Sequence, residues 1–324
     1  MGRPAISVVM PAYNHEKFVG EAIESVLCQT FTDFELIIVN DGSSDGTDAV
    51  IRGYHNQRIK YHTQANCDAY NTLNRCISLA EGDYIAIINS DDKFHRNRLE
   101  ALVNFAAHSD VEFVMTDLTL IDANSTAIEN EHHPLIAYHR HLKESYTQNA
   151  SIIQTMFSGN LAMTTSNFFF SRRLSNEVGC FRPLRYAHDY DYLLRILSLF
   201  PDGVAFLPEP LLHYRVHDGN TVRENPARVE IETFRVLLEH LPEFMTCEND
   251  RAIVGAYREQ LSRMDYVLND TDVMLQKIFS TLSWKVTAPL RMMGEMFGVE
   301  PPENSAFLPR LRKIIGQLLK RSTP

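Results

Sequence analysis

The chain has 324 residues, 44% of them hydrophobic, enough for one large core or a core with an appendage. Its formal net charge is -10 and its pI is near 5.7, so no overall basic field exists to hold a nucleic acid and no such partner is expected. The five cysteines, Cys28, Cys67, Cys76, Cys180 and Cys247, are scattered and lack a CxxC pair, which reads as reduced thiols and not as a disulfide framework or a zinc site. No stretch long enough to span a bilayer is free of charge, and the N-terminus enters an apolar run with no signal-peptide pattern. A cytoplasmic protein is expected, with the inner face of the membrane as a place of work.

Ala5 to Met10 is a short apolar run ended by Pro11 and reads as a buried strand. Lys17 to Gln29 carries Phe18, Ala22, Val26 and Leu27 among charges, the pattern of an amphipathic helix. Phe34 to Val39 is a second strand, stopped by the turn-rich Asn40-Asp41-Gly42-Ser43-Ser44-Asp45-Gly46. A helix over Thr47 to Tyr54, a short strand over Arg58 to His62 and a helix over Tyr70 to Glu81 follow. Tyr84 to Ile88 is a further strand, ending at Asn89-Ser90-Asp91-Asp92. Strands alternating with helices at this spacing predict an α/β fold with a mostly parallel central sheet flanked by helices. In such sheets ligands bind beyond the carboxyl ends of the strands, and those ends carry Tyr13, Asp41, Asp91 and Asp92.

The second half is less regular. Val111 to Leu120 reads as a strand pair, Met163 to Phe170 as β-prone, and Tyr190 to Phe200 as a helix. Ala205 to Leu207 and Leu211 to Val216 read as two short strands. From about Asn225 the pattern turns helical, through Val229, Phe234, Leu237 and Leu238 to Leu261, Met264 and Leu268, which predicts a catalytic domain over 1–225 and a helical C-terminal extension over 226–324. The tail 305–324 contains no acidic residue, its charges being Arg310, Arg312, Lys313, Lys320 and Arg321, and its Leu and Ile residues share one helical face. A membrane surface or a protein surface fits that face equally well.

Paired carboxylates at the end of a buried strand repel each other unless something positive sits between them, and a hard divalent cation is one solution. Capping of the following helix is the plainer one. The ordered series of motifs decides between them. Ile6 to Asn14, Ser25 to Phe31, Phe34 to Thr47, and Ala80-Glu81-Gly82-Asp83-Tyr84-Ile85 leading into Asn89-Ser90-Asp91-Asp92 together resemble the family 2 glycosyltransferases, which have the GT-A fold. The resemblance is close over 5–95, the nucleotide-sugar-binding half, and continues more weakly over the acceptor-side half, 96–225.

The resemblance implies a nucleotide-sugar donor, a glycan or lipid-linked acceptor, inversion at the anomeric centre and a product in bacterial surface polysaccharide or glycolipid. It places Pro11, Tyr13, Asn14, Asp41 and Asp91 in donor binding, with Tyr13 stacked on the base, Asp41 accepting from its imide N–H, and Asp91 at the ribose or the metal. Asp92 would hold Mn²⁺ or Mg²⁺, with His217 of His213-Tyr214-Arg215-Val216-His217 at the metal or the diphosphate and Arg215 adding positive charge. His188-Asp189-Tyr190-Asp191 resembles the family's base segment, which makes Asp189 the catalytic base and leaves Asp191 as a first-turn helix acid. Asn89 stands where many members carry an acid, His188 where they carry Glu, and Cys67 and Cys76 where they often carry Gly. Ser283 to Arg291 resembles, more weakly, a segment near the C-terminus of some such enzymes. The glycine-rich loops that a nucleotidyltransferase or a dinucleotide-dependent oxidoreductase needs after the first strand are not found in Pro11-Ala12-Tyr13-Asn14.

Overall fold

The computed structural model describes residues 2–149 and 151–244. The tail 305–324, the segment Ser283 to Arg291 and the extension past 244 lie outside the described residues. The chain divides into two compact units, the first Met1–Glu129 with Ala162–Asp218, the second Asn130–Leu161 with the residues from Gly219 onward. The expected cut at 225 is therefore displaced, and 130–161 is taken out of the first unit. That segment supplies two helices, α5 (Pro134–Asn149) and α6 (Ile152–Met156), and no strand to the sheet. The second unit also holds α9 (Pro226–His240), which begins with Pro226 in its first turn and with the Asn225 side chain accepting the Arg228 N–H at 3.1 Å. No helix of the described residues is long and apolar enough to cross a membrane.

The first unit is built on one eight-stranded sheet. Its strands are β1 (Ile6–Ala12), β2 (Phe34–Asn40), β3 (Ile59–Thr63), β4 (Tyr84–Ile87), β5 (Lys93–Phe94), β6 (Phe113–Ile121), β7 (Phe169–Ser171) and β8 (Val204–Arg215), in the order β3-β2-β1-β4-β7-β6-β8-β5. Between them run α1 (Val19–Leu27), α2 (Thr47–Arg52), α3 (Ala69–Leu79), α4 (Arg98–Ala107), α7 (Arg172–Val178) and α8 (His188–Leu199). In α1 the buried residues are Val19, Ala22, Ile23 and Val26, the spacing of one helical face. β2 is buried along its whole length, as an apolar run flanked by parallel neighbours should be.

The sheet is mixed. β1, β2, β3 and β4 are parallel, while β7 runs antiparallel to both β4 and β6, β6 and β8 are parallel, and β5 is antiparallel to β8. Following these directions across the sheet, β8 points the same way as β4, and the start of β7 meets the end of β4. The chain leaves β1 for β2 and β3 on one side and returns to β4 on the other. A crevice at the carboxyl ends of β1 and β4 follows from that reversal, the usual ligand position in such sheets.

Three local expectations change. β6 is one strand, where a pair was expected. β8 is also one strand, although Pro208 and Pro210 interrupt its ladder. Its register against β6 jumps from Leu207 to Pro210, so the prolines sit in a bulge, which is where a residue without an N–H is tolerated. Within Met163 to Phe170, Thr165–Asn167 forms a 3-10 turn before β7, because Thr164 caps it and accepts the Ser166 N–H at 3.2 Å.

At the amino ends of the parallel strands a polar clasp is buried. Ser7 donates to Glu35 at 2.5 Å, and its hydroxyl oxygen accepts the Glu81 and Gly82 N–H groups at 3.0 and 2.7 Å. Lys60 pairs with Glu35 at 2.7 Å. Burial pushes the Glu35 carboxyl upward, but the bonds from Lys60 and Ser7 outweigh it and hold the group below its ordinary value. Gly82 is required here, since a Cβ would lie 2.6 Å from the Ile6 carbonyl carbon and closer still to the Ser7 nitrogen, both of them backbone atoms. Gly82→Ala is expected to cost about 1–3 kcal/mol by overpacking, which a thermal melt reads as a fall of roughly 3–10 °C. An unchanged midpoint would contradict this account of the clasp.

Candidate active site

The segments that follow β1 and β2 are tied to each other. Asn14 has φ 52°, a left-handed conformation that Asn tolerates better than most residues. Its N–H donates to Ser43 Oγ at 3.0 Å and its Oδ1 accepts the Ser44 N–H at 2.8 Å. The His15 N–H donates to Thr47 Oγ1 at 2.8 Å, and the Gly46 N–H to Glu16 Oε2 at 2.7 Å. Asn14 thus spends its polar groups on loop shape. Pro11 lies within β1, one residue before its end, beyond the last β4 partner at Val9, where its missing N–H breaks no bond to β4. Tyr13 is 47% exposed, an aromatic ring left on the surface. Asp41 is buried at the end of β2, and its Oδ1 accepts from Gln64 Nε2 at 2.6 Å and from the Cys67 N–H at 3.0 Å.

Asp91 and Asp92 face different surroundings. Asp92 is fully buried, with Oδ2 accepting from Ser166 Oγ at 2.5 Å and Oδ1 from the Arg215 N–H at 2.8 Å. Burial first, and the Asp91 charge second, push its carboxyl well above the ordinary range. Burial also pulls Asp91 upward, but His15 and His217 more than offset it and hold that carboxyl low. Arg215 is not available to a ligand. Its buried guanidinium donates to the Asp91, Asp122 and Ala123 carbonyls at 2.6, 3.2 and 3.2 Å and to Glu21 at 3.2 Å, and it lies 4.9 Å over the Phe18 ring.

Two imidazoles converge on one oxygen of Asp91. His217 Nε2 lies 3.0 Å from Oδ2 and His15 Nε2 lies 3.9 Å from it. His15 Nδ1 contacts Ser90 Oγ at 2.8 Å, which aims the other ring nitrogen toward Asp91. Phe18 packs against both rings, with centroids 6.0 Å from His15 and 4.7 Å from His217. Among the described residues this is the one group of three or more such side chains able to hold a metal ion, with ligand atoms within 4.8 Å of one another.

Asp189 is half-buried in the first turn of α8, where its Oδ1 accepts the Tyr190 N–H at 2.7 Å. Asp191 is fully buried and paired with Arg182 and, at 3.0 Å, with Arg195. Arg195 also donates to the Val178 and Cys180 carbonyls at 2.7 and 2.8 Å, so Asp191 fastens α8 to the segment before it. Desolvation lowers the His188 pKa to about 4, so the ring is neutral at pH 7 and packs edge-on against Phe181.

The profile described as Glycosyl transferase family 2 matches residues 7–179. The chain belongs to this family. An uncharacterized glycosyltransferase of Rickettsia typhi is 28% identical over 264 residues, 80% of this chain and 78% of that one. TuaG of Bacillus subtilis, a putative teichuronic acid biosynthesis glycosyltransferase, is 30% identical over 130 residues, 39% of this chain and 52% of its own. Among solved structures, S. aureus TarS 1-349 in complex with UDP-GlcNAc superposes with a TM-score of 0.58 at 16% identity, covering 90% of this chain and 78% of that one. The mannosyltransferase PcManGT of Pyrobaculum calidifontis, in complex with GDP-Man and Mn²⁺, gives 0.54 at 14% identity, covering 92% and 85%. At these identities the structures show the shared GT-A fold.

In this glycosyltransferase the acidic strand end is not a symmetric pair. Asp92, the expected metal ligand, accepts one buried protein donor on each of its oxygens. Sequence reading missed His15, Ser90 and Ser166. His15 follows the Tyr13-Asn14 pair directly, and a polar residue at that strand end was the available signal. Asn89 accounts for its own departure from an acid, since its carboxamide both donates to Thr164 Oγ1 at 3.1 Å and accepts from Thr165 Oγ1 at 3.0 Å. Asp92→Ala leaves the Ser166 hydroxyl and the Arg215 N–H unpaired in the interior, a loss of about 2–4 kcal/mol. Asp91→Ala, which leaves half-buried imidazoles behind, is expected to lose clearly less. Urea unfolding of both variants checks the order, and equal stabilities would show that Asp92 is no keystone.

Proposed function

We propose that this glycosyltransferase moves a sugar from a nucleoside-diphosphate donor to an acceptor hydroxyl, with inversion, during synthesis of a surface polysaccharide. The observation that carries the reading is the meeting of His15, Asp91 and His217 at the carboxyl-end crevice of β1 and β4. Tyr13 offers the donor base a flat face and Asp41 offers it an acceptor. Pro11 and Asn14 hold the loop that presents Tyr13. The similarity to TuaG, a putative teichuronic acid biosynthesis glycosyltransferase, supports the polysaccharide product, and the UDP-GlcNAc complex of TarS supports the nucleotide sugar.

The His15, Asp91 and His217 atoms fit a divalent cation. Separations of 3.0 and 3.9 Å from the shared oxygen suit ligands of one ion, which sit about 3–4 Å apart when each bond is near 2.1 Å. Two imidazoles and one carboxylate favour Mn²⁺ over Mg²⁺, which prefers an all-oxygen shell. Asp91 thus takes the ligand role expected of Asp92, and Asp92 supports it from behind. A bound cation would neutralise charge on the departing diphosphate. Asp189 supplies the base. Its carboxylate takes the acceptor proton as the hydroxyl oxygen attacks the anomeric carbon, and the bond to the diphosphate breaks on the opposite face.

Two expected outcomes test this reading. His15→Ala and Asp91→Ala should each weaken Mn²⁺ binding by about tenfold or more, in the range seen when a metal site loses a group, as titration calorimetry measures. Wild-type affinity in both would remove the metal from this cluster. Asp189→Asn should lower transfer by roughly 10²–10⁴-fold with donor binding kept. Asp191→Asn should instead lower stability, because it leaves Arg182 and Arg195 without their shared carboxylate. Near-normal transfer by a folded Asp189→Asn enzyme would place the base elsewhere.

A further inference from the structure

Asp41 is 3% exposed, and its two oxygens have unlike surroundings. Oδ1 accepts from Gln64 Nε2 at 2.6 Å, the Cys67 N–H at 3.0 Å and the Cys67 thiol at 3.4 Å. Among the described residues no hydrogen bond falls on Oδ2. The Gln64 amide cannot turn over freely, because Arg75 Nη1 donates to its Oε1 at 2.6 Å and to the Thr63 carbonyl at 3.2 Å. Its Nε2 is also within 2.9 Å of Thr72 Oγ1. A chain of contacts thus runs from Arg75 through Gln64 to one oxygen of Asp41.

We propose that Gln64, oriented by Arg75, makes Asp41 a one-oxygen acceptor and thereby selects uracil over guanine in the donor nucleotide. The inference rests on Asp41 as the reader of the base. Guanine presents two adjacent donors, N1–H and the N2 amine, which match both oxygens of a carboxylate as a fork does. Here the fork is closed, since Oδ1 already serves three protein donors. Guanine would bury an amine without its partner, a costly mismatch in a site of fixed polar groups. Uracil presents one donor, N3–H, between two carbonyl oxygens. A single free oxygen suits it, whereas a second one turned toward the base would face a carbonyl. Gln64 and Arg75 are positioning residues in this account, acting through Asp41.

Calorimetric titration of the full chain with UDP and with GDP, both in Mn²⁺, tests the proposal. Wild type should bind UDP at least about tenfold more tightly than GDP. Gln64→Leu removes the shortest of the three bonds to Oδ1, leaving those from Cys67, and should narrow that ratio by about tenfold, with Arg75→Met narrowing it in the same direction and less. A purely structural role for Gln64 would weaken both nucleotides alike and leave the ratio fixed. An unchanged ratio in both variants, or a wild-type preference for GDP, overturns the proposal. Asp41→Ala separates the two levels. If that variant binds UDP as wild type does, Asp41 does not read the base, and the donor-site reading falls together with this one.

Discussion

Two carboxylates on neighbouring residues cannot both be buried and charged at one strand end without compensation. The fold resolves this at Asp91 and Asp92 by sending them to unlike partners. Asp92 turns inward to the Ser166 hydroxyl and the Arg215 N–H, and Asp91 turns toward two imidazoles. Much of the surrounding structure follows from that division. Arg215 is drawn in because its backbone meets Asp92 while its guanidinium holds the Asp91 carbonyl and the 122–123 turn. Ser166 is fixed in turn by the Asn89 N–H, which donates to it at 2.8 Å.

Topology supplies these partners from distant parts of the chain. Because β7 is antiparallel to β4, the 164–166 turn arrives where β4 ends. Because β8 is parallel to β6, its far end carries Arg215 and then His217 to the same edge. A second buried centre, Arg98, lies behind. Desolvation lowers its pKa to about 9 against the pull of Asp92, and it donates to Thr116 Oγ1 and Asn167 Oδ1 at 2.6 and 3.1 Å. The interior side of the site is therefore polar and mostly bonded, Arg98 Nε being a buried exception, which suits a site that must keep its shape.

β1 to β4 and the helices between them were legible because each strand is a short run with a clear stop and each helix keeps its apolar residues on one face, whereas the two-residue β5 carried no such mark. Asp41, Asp91 and Asp92 were legible as acids at strand ends. Which acid turns inward was not, because that depends on Ser166 and Arg215, more than 70 and 120 residues away. His15 escaped notice for the same reason, since Ser90 and Asp91 give it meaning. The prolines of β8 concealed a continuous strand as two. The place of 130–161 outside the first unit had no local mark, since α5 is a largely polar helix whose sequence does not say what it packs against.

The division between Asp91 and Asp92 is open to direct observation. Crystals of the chain grown with a nucleoside diphosphate and Mn²⁺, measured near the manganese absorption edge, locate the ion by its anomalous signal. The account predicts a peak within bonding distance of Asp91 Oδ2 and His217 Nε2, beside His15 Nε2, with the Asp92 carboxylate still on Ser166 and Arg215. A peak bonded to Asp92, with Asp91 turned away from the ion, would contradict it.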